Sequence, residues 1–265
     1  LLAAVTLLAA CGGQSSGTAG NGPQPGQNGS GDSSFAMSGA YQGSVTYLGV
    51  PYTSDFLSFL TPYGDWYGLY FLTTTSASVY PDIYTGKVFA NSASSATIAS
   101  LKASQFGKPV TTGSAEISGS SALNYKVSLT GINLANSQAA SFSPNYIPTF
   151  TGINGVWEGG LRDSQNTADP TMNLSFSEDG TSTSSYAHCP LTIKLTQASG
   201  SAHAYFTARV EIPLTSFCPR TPITSALLEG IAFIHAAPPG SGKSRRLEII
   251  AVDKTGSGIS FRGDQ

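Results

Sequence analysis

Gly39-Ala40-Tyr41-Gln42-Gly43 returns 116 residues further along as Gly155-Val156-Trp157-Glu158-Gly159. Downstream of the first, Leu57-Ser58-Phe59 precedes Pro62-Tyr63-Gly64-Asp65. Downstream of the second, Leu174-Ser175-Phe176 precedes Ser177-Glu178-Asp179-Gly180, at an offset of 116–117. Each triplet alternates apolar and polar, and each tetrad holds turn formers, so both read as hairpins. A near-constant offset over two motifs points to two tandem copies of one unit.

Within each copy the alternation is that of strands. In the first, strands are expected at Ala40–Leu48, Phe56–Leu60, Trp66–Thr73, Ile83–Ala90, Ala96–Leu101, Gly113–Ser118 and Tyr125–Thr130. Tyr125-Lys126-Val127-Ser128-Leu129-Thr130 alternates cleanly, which implies one buried and one wet face. In the second they are expected at Val156–Asp163, Met172–Ser177, Ser182–Ala187, Leu191–Gln197, Ala204–Ile212, Leu227–His235, Arg246–Asp253 and Gly258–Arg262. Thr97–Phe106 is the best helical candidate. Seven or eight short antiparallel strands in about 110 residues must hide their edges, and a closed up-and-down barrel does so. The expected fold is all-β: two tandem small antiparallel up-and-down β-barrels. Phe142–Thr151 (FSPNYIPTFT) has two prolines and little alternation, and marks the boundary between a first barrel domain, 35–148, and a second, 149–265.

Ahead of the barrels the composition changes. Residues 1–10 (LLAAVTLLAA) are apolar, uncharged and end in small residues, as a secretory core does before its cleavage site. The run is too short to span a bilayer, which takes about 20 apolar residues, and a basic segment is expected ahead of Leu1. Residues 12–34 hold eight glycines with Ser, Asn, Gln, Thr and two prolines, and no apolar period, so they build no core. They read as a flexible linker with a root-mean-square span of roughly 25 Å.

Leu8-Ala9-Ala10-Cys11 resembles the lipobox of bacterial lipoproteins. That resemblance implies a signal segment at 1–11 and lipidation of Cys11, with a diacylglyceryl thioether and an acylated amine carrying chains such as palmitate. Several chains make a stable anchor, at about 0.8 kcal/mol per buried methylene. Gly12, rather than Asp, after the cysteine resembles the default signal for the outer membrane of the cell envelope.

Charged residues make up 11% of the chain and its net charge is −2, which excludes the basic footprint of a nucleic-acid binder. Lys243-Ser244-Arg245-Arg246 is the one dense basic cluster and reads as a solvated turn. With Cys11 lipidated, Cys189 and Cys218 remain. An oxidising compartment favours a disulfide between them, while a zinc site with His188 as a neighbour stays open as the alternative.

Chemistry is sparse. Ala237–Ser244 (APPGSGKS) ends like a phosphate-binding loop, but a strand follows it where that motif needs a helix, so it reads as a hairpin loop. His188, His203 and His235 have no ligand spacing. Glu178-Asp179 is a turn, and Asp163 and Asp169 lie on a loop. No residue set specifies catalysis, a metal or a cofactor. The most function-like group is Tyr63, Trp66, Tyr67, Tyr70 and Phe71. Trp66 and Tyr70 share one strand face, Tyr67 and Phe71 the other, as contacts for a glycan, a protein or a small apolar ligand, or as barrel wall.

Gly155-x-Trp157 on a first strand resembles the opening of lipocalins and related calycins, whose tryptophan packs beneath an arginine from the last strand; Arg262 holds the comparable place. The chain also resembles two-domain hypothetical lipoproteins of Gram-negative proteobacteria. These share the lipobox, the small-polar linker, the two cysteines of the second copy and endings like Gly230-Ile231-Ala232-Phe233, Arg245-Arg246-Leu247-Glu248 and Gly258-Ile259-Ser260-Phe261. That group has no assigned activity. The expected role is a non-enzymatic binding or interaction module held to the membrane, with a calycin-like carrier of a small apolar molecule and an envelope hydrolase as alternatives.

Overall fold

The computed structural model describes residues 38–47, 50–71, 82–92, 94–104, 109–119, 122–129, 132–142, 150–163, 168–169, 171–186, 189–198, 205–213 and 227–265. The expected signal segment, Cys11, the linker and Cys218 lie outside them.

Eight strands form the first sheet: β1 (Gly39–Tyr47), β2 (Val50–Leu60), β3 (Asp65–Phe71), β4 (Asp82–Ser92), β5 (Ser95–Ser104), β6 (Thr111–Ser118), β7 (Ala122–Leu129) and β8 (Ile132–Phe142). Each pairs antiparallel with the next, and β8 returns to β1, so the sheet closes into an up-and-down barrel. A short helix, α1 (Phe150–Ile153), leads into the second sheet: β9 (Gly155–Asp163), β10 (Ala168–Asp169), β11 (Asn173–Phe176), β12 (Thr181–Tyr186), β13 (Cys189–Gln197), β14 (Phe206–Glu211), β15 (Leu227–Ala236), β16 (Arg245–Val252) and β17 (Gly258–Asp264). Strands β12 to β17 pair in sequence, β17 joins β9, and β9 carries β10 and β11 on its other edge. No ladder joins β11 to β12, so this barrel is nearly closed.

The two barrels are copies in backbone detail. Tyr41 faces Ser58 across β1 and β2, and Trp157 faces Leu174 across β9 and β11. The offset is 116 at both positions. In each copy a five-residue turn follows. The Thr61 amide donates to the Asp65 carbonyl, the Gly64 amide to Thr61, and the Val88 amide of β4 to Gly64. Ser177, Thr181, Gly180 and Leu195 of β13 repeat these three bonds. Gly64 and Gly180 have φ of +80° and +79°, a conformation that a Cβ disfavours. The aligned Leu-Ser-Phe triplets, 117 apart, are therefore one residue out of step. Leu57 and Phe59 face outward, while Leu174 and Phe176 face into the barrel. A shift of one residue reverses every side chain on a strand, so Ser58 and Leu60 are the true counterparts.

Alternation fills both interiors. Tyr41, Phe56, Leu60, Trp66, Tyr70, Tyr84 and Ile98 pack inside the first barrel. Trp157, Leu174, Phe176, Phe206, Leu247 and Phe261 pack inside the second. Trp66 corresponds to Ser182, and the volume lost there is offset in part by Trp157 in place of Tyr41 and Phe176 in place of Leu60. Thr97–Phe106 is not helical. Its described part lies in strand β5, where a register shift between Ile98 and Leu101, with Ser100 at φ +53°, inserts an extra residue. That bulge turns the spacing of Ala96, Ile98, Leu101 and Ala103 into a mimic of a helical period.

By residue contacts the chain divides into Leu1–Ser33 and Ser34–Gln265. Both barrels belong to the latter because their outer walls share a third core. Ala40, Leu57, Phe59, Leu69 and Ile83 of the first wall meet Ala198, Tyr205, Ile231, Phe233 and Ile250 of the second.

Candidate functional site

The wall between the barrels gathers the molecule's buried aromatic and charged groups on outward-facing strand positions. Phe59 is the hub. Its ring lies 5.3 Å from that of Phe233 in a stacked arrangement and 5.1 Å from Tyr205. Tyr67 packs against this cluster. Burial raises the Tyr67 phenol well above its ordinary value, and Asp65, Tyr205 and Glu229 add to the shift. Burial, with Tyr63 and Asp65 nearby, pushes Tyr205 up to about 12.

Charged side chains continue the same wall. Glu248 of β16 is fully buried. Its Oε1 accepts from Arg262 Nε at 2.5 Å, and His235 Nε2 lies 3.4 Å away. His235 stacks on Phe233 at 6.0 Å and donates from Nδ1 to the Ala236 carbonyl. Arg246 makes a two-pronged pair with Asp264, at 2.6 and 2.7 Å. At the other end of the wall, Arg162 of β9, 1% exposed, reaches across to Asp82 of β4 at 3.5 Å. Burial lowers the Arg162 pKa, opposed by Asp82, Asp163 and Tyr186. Lys102 donates to the Lys254 carbonyl nearby.

Sequence alone pointed to other residues. Trp66 and Tyr70 lie inside the first barrel and Tyr67 at the wall, so the aromatic strand divides as alternation predicts. Phe71 ends β3. Tyr63, in the β2–β3 turn, is exposed. The five do not form one surface. Ala237–Ser244 is the β15–β16 connection, with Lys243 paired to Glu158 at 2.8 Å. Asp163 is buried at the end of β9, and Asp169 lies in β10 opposite Leu161 rather than on a loop. Asp179 is held by Lys194, Ser177 and Thr181, which lower its carboxyl well below the usual range. Cys189 is buried at the start of β13, while Cys218, His188 and His203 lie outside the described residues. Among the described residues no three His, Cys, Asp or Glu side chains gather as metal ligands, and no helix is long and apolar enough to cross a membrane.

Arg262 does not cover Trp157. It points outward to Glu248. The arginine over the Trp157 ring is Arg245 of β16, 5.3 Å from the centroid. Alternation explains the exchange. Phe261 and Gly263 of β17 face inward, which puts Arg262 outside. Arg245 lies at the barrel end, where its side chain turns in over the ring and donates to the Gly152 carbonyl and to Gln265. Trp157 Nε1 donates to the Ile153 carbonyl at 2.8 Å, tying α1 to the barrel. No protein-family model, no curated protein and no solved structure matches this chain.

Proposed function

We propose that this is a lipid-anchored protein of the bacterial cell envelope, directed to the outer membrane, that works by binding through a pair of calycin-like barrels. The observation that carries the binding role is the use made of the buried and half-buried charges. Arg162 is engaged with Asp82, Glu248 with Arg262 and His235, and Arg246 with Asp264. Each holds strands or barrels together, and each lies on an outer wall. Lipidation of Cys11 is supported by Leu8-Ala9-Ala10-Cys11 and the linker behind it. The calycin likeness is supported by Trp157 packed between α1 and Arg245. In the oxidising compartment so implied, Cys189 pairs with Cys218.

The test is mass spectrometry of the N-terminal peptide with fractionation of cells, followed by native mass spectrometry of the purified protein. The expected result is a diacylglyceryl mass on Cys11, membrane recovery that Cys11→Ser abolishes, and a mass two protons lighter for the Cys189–Cys218 disulfide. Bound species released on denaturation support the binding role, and an apolar small molecule among them selects the carrier reading. An unmodified Cys11 removes the anchor. A hydrolytic turnover lost in Glu248→Gln replaces binding by catalysis.

A further inference from the structure

The barrels lie side by side with corresponding ends together. Phe59 meets Tyr205 near one end, and Asp82 meets Arg162 near the other. The first of these ends is formed by the Thr61–Asp65 and Ser177–Thr181 turns and the Ala237–Ser244 connection. The chain arriving from Cys11 also enters there, because Gly39 pairs with Leu60 just before the first turn.

All three exposed large hydrophobic side chains among the described residues belong to this end: Tyr63, Phe89 and Val156. Tyr63 sits in the first turn. Phe89 follows Val88, whose amide donates to Gly64 beside Tyr63. Val156 is the second residue of β9, opposite Ser175 just before the second turn. The duplication provides an internal comparison. In the second copy the positions of Tyr63 and Phe89 are held by Asp179 and Thr196, so neither aromatic is required by the shared backbone. Four ion pairs lie at this end, Lys87 with Asp65, Lys194 with Asp179, Lys243 with Glu158 and Arg246 with Asp264, while Glu178, exposed in the second turn, has no ion pair among the described residues.

We infer that this end docks on the phospholipid surface in which the Cys11 lipids are embedded, with Tyr63 and Phe89 seated at headgroup level. The inference rests on the lipid-anchored reading proposed above. Aromatic side chains favour the membrane–water interface. A Gly/Ser-rich chain of the length that separates Cys11 from Gly39 has a root-mean-square reach of roughly 30 Å. The barrel end is thus confined near the bilayer at a high effective concentration, where a weak contact suffices. With most charges here paired and the leftover one, Glu178, acidic, apolar seating rather than attraction to anionic headgroups is the driving force.

The test uses the full chain, expressed behind a complete lipoprotein signal peptide and reconstituted into phosphatidylethanolamine–phosphatidylglycerol vesicles carrying a headgroup-level spin-labelled lipid. Trp66 and Trp157 are fully buried and set a constant background. Phe89→Trp and, separately, Tyr63→Trp report on the docking end, and Lys254→Trp on the opposite end, where Lys254 is exposed. The expected result is quenching of each docking-end tryptophan at least about twofold stronger than that of Lys254→Trp, and unchanged by 0.5 M salt, as interfacial seating predicts. Equal quenching at both ends, or none, with Cys11 shown by mass to be lipidated, overturns the docking and leaves the anchor standing. An unmodified Cys11 overturns both.

Discussion

The Arg245 guanidinium lies over the Trp157 ring, and the two side chains anchor the same helix: Arg245 donates to the carbonyl of Gly152, Trp157 to that of Ile153. A cation over an indole face contributes about 0.5–2 kcal/mol, and each hydrogen bond about 1 kcal/mol net. Arg245→Ala is expected to lower the stability of the second barrel by about 2 kcal/mol, and Arg245→Lys by less than Ala but measurably, since an ammonium lacks the planar fork. Arg262→Ala leaves the Trp157 environment unchanged. Urea unfolding followed by Trp157 fluorescence, in a Trp66→Phe background, separates these outcomes.

Phe59 joins the barrels. Phe59→Ala removes a buried ring from between Tyr205 and Phe233, a class of change that costs about 3–5 kcal/mol. The loss falls on the wall rather than on either interior. Unfolding is therefore expected to change from one transition to two. The chain's two tryptophans lie one in each barrel, so single-tryptophan variants report the halves separately. Coincident transitions in Phe59→Ala would count against the wall as the coupling element.

Asp82→Ala leaves the buried Arg162 guanidinium without its partner across the wall. Breaking a buried pair from one side costs about 3–5 kcal/mol, and the low end is expected because Asp163 remains beside Arg162. Replacing both as Asp82→Ala with Arg162→Met restores most of that loss. A double-mutant cycle in urea measures the coupling, which should exceed about 1 kcal/mol.

Alkaline pH loosens the same wall. Tyr205 in the folded chain holds its proton up to about 12, against about 10 when unfolded. Its contribution is complete below pH 10 and is lost as pH rises from 10 towards 12, because the unfolded chain alone gains from ionisation there. Tyr67 shifts in the same direction. Tyr205→Phe should keep more of its neutral-pH stability at pH 11 than the parent does, as thermal unfolding at the two pH values would show.

Asp179 behaves oppositely. Lys194 and the Ser177 and Thr181 hydroxyls hold its carboxylate charged below the usual range. Its stabilising effect is present above the ordinary carboxylate pKa and is lost as pH falls through the lowered one. The pair is exposed, so salt screens it. Carboxyl NMR titration is expected to give Asp179 its lowest midpoint in the parent and a higher one in Lys194→Met, still below the ordinary carboxylate value because the Ser177 and Thr181 hydrogen bonds remain.

The strands were legible because alternation in an antiparallel shell writes burial directly into the sequence, as in Tyr67 and Leu69 against Trp66 and Tyr70. Strand β8 escaped notice: Ile132–Phe142 is mostly small and polar and carries little apolar signal. Strand β5 imitated a helix because its bulge breaks the two-residue period. The polar wall was harder still. Glu248 reads as one charge within a β-branched run, and Arg162 as an ordinary strand end. Neither shows its partner until the strands are in register. Arg245 and Arg262 illustrate the same limit, since the choice between them depends on which face of each strand turns inward.

The unladdered junction between β11 and β12 gives the second barrel a seam that the first lacks. The Ser177–Thr181 turn joins the two strands, and backbone amides of β12 facing that side have no ladder partner among the described residues. Deuterium should enter there first. Any event that parts the shell, whether admission of a guest molecule, exchange of a strand with another copy or the first step of denaturation, has its natural point of rupture along this line.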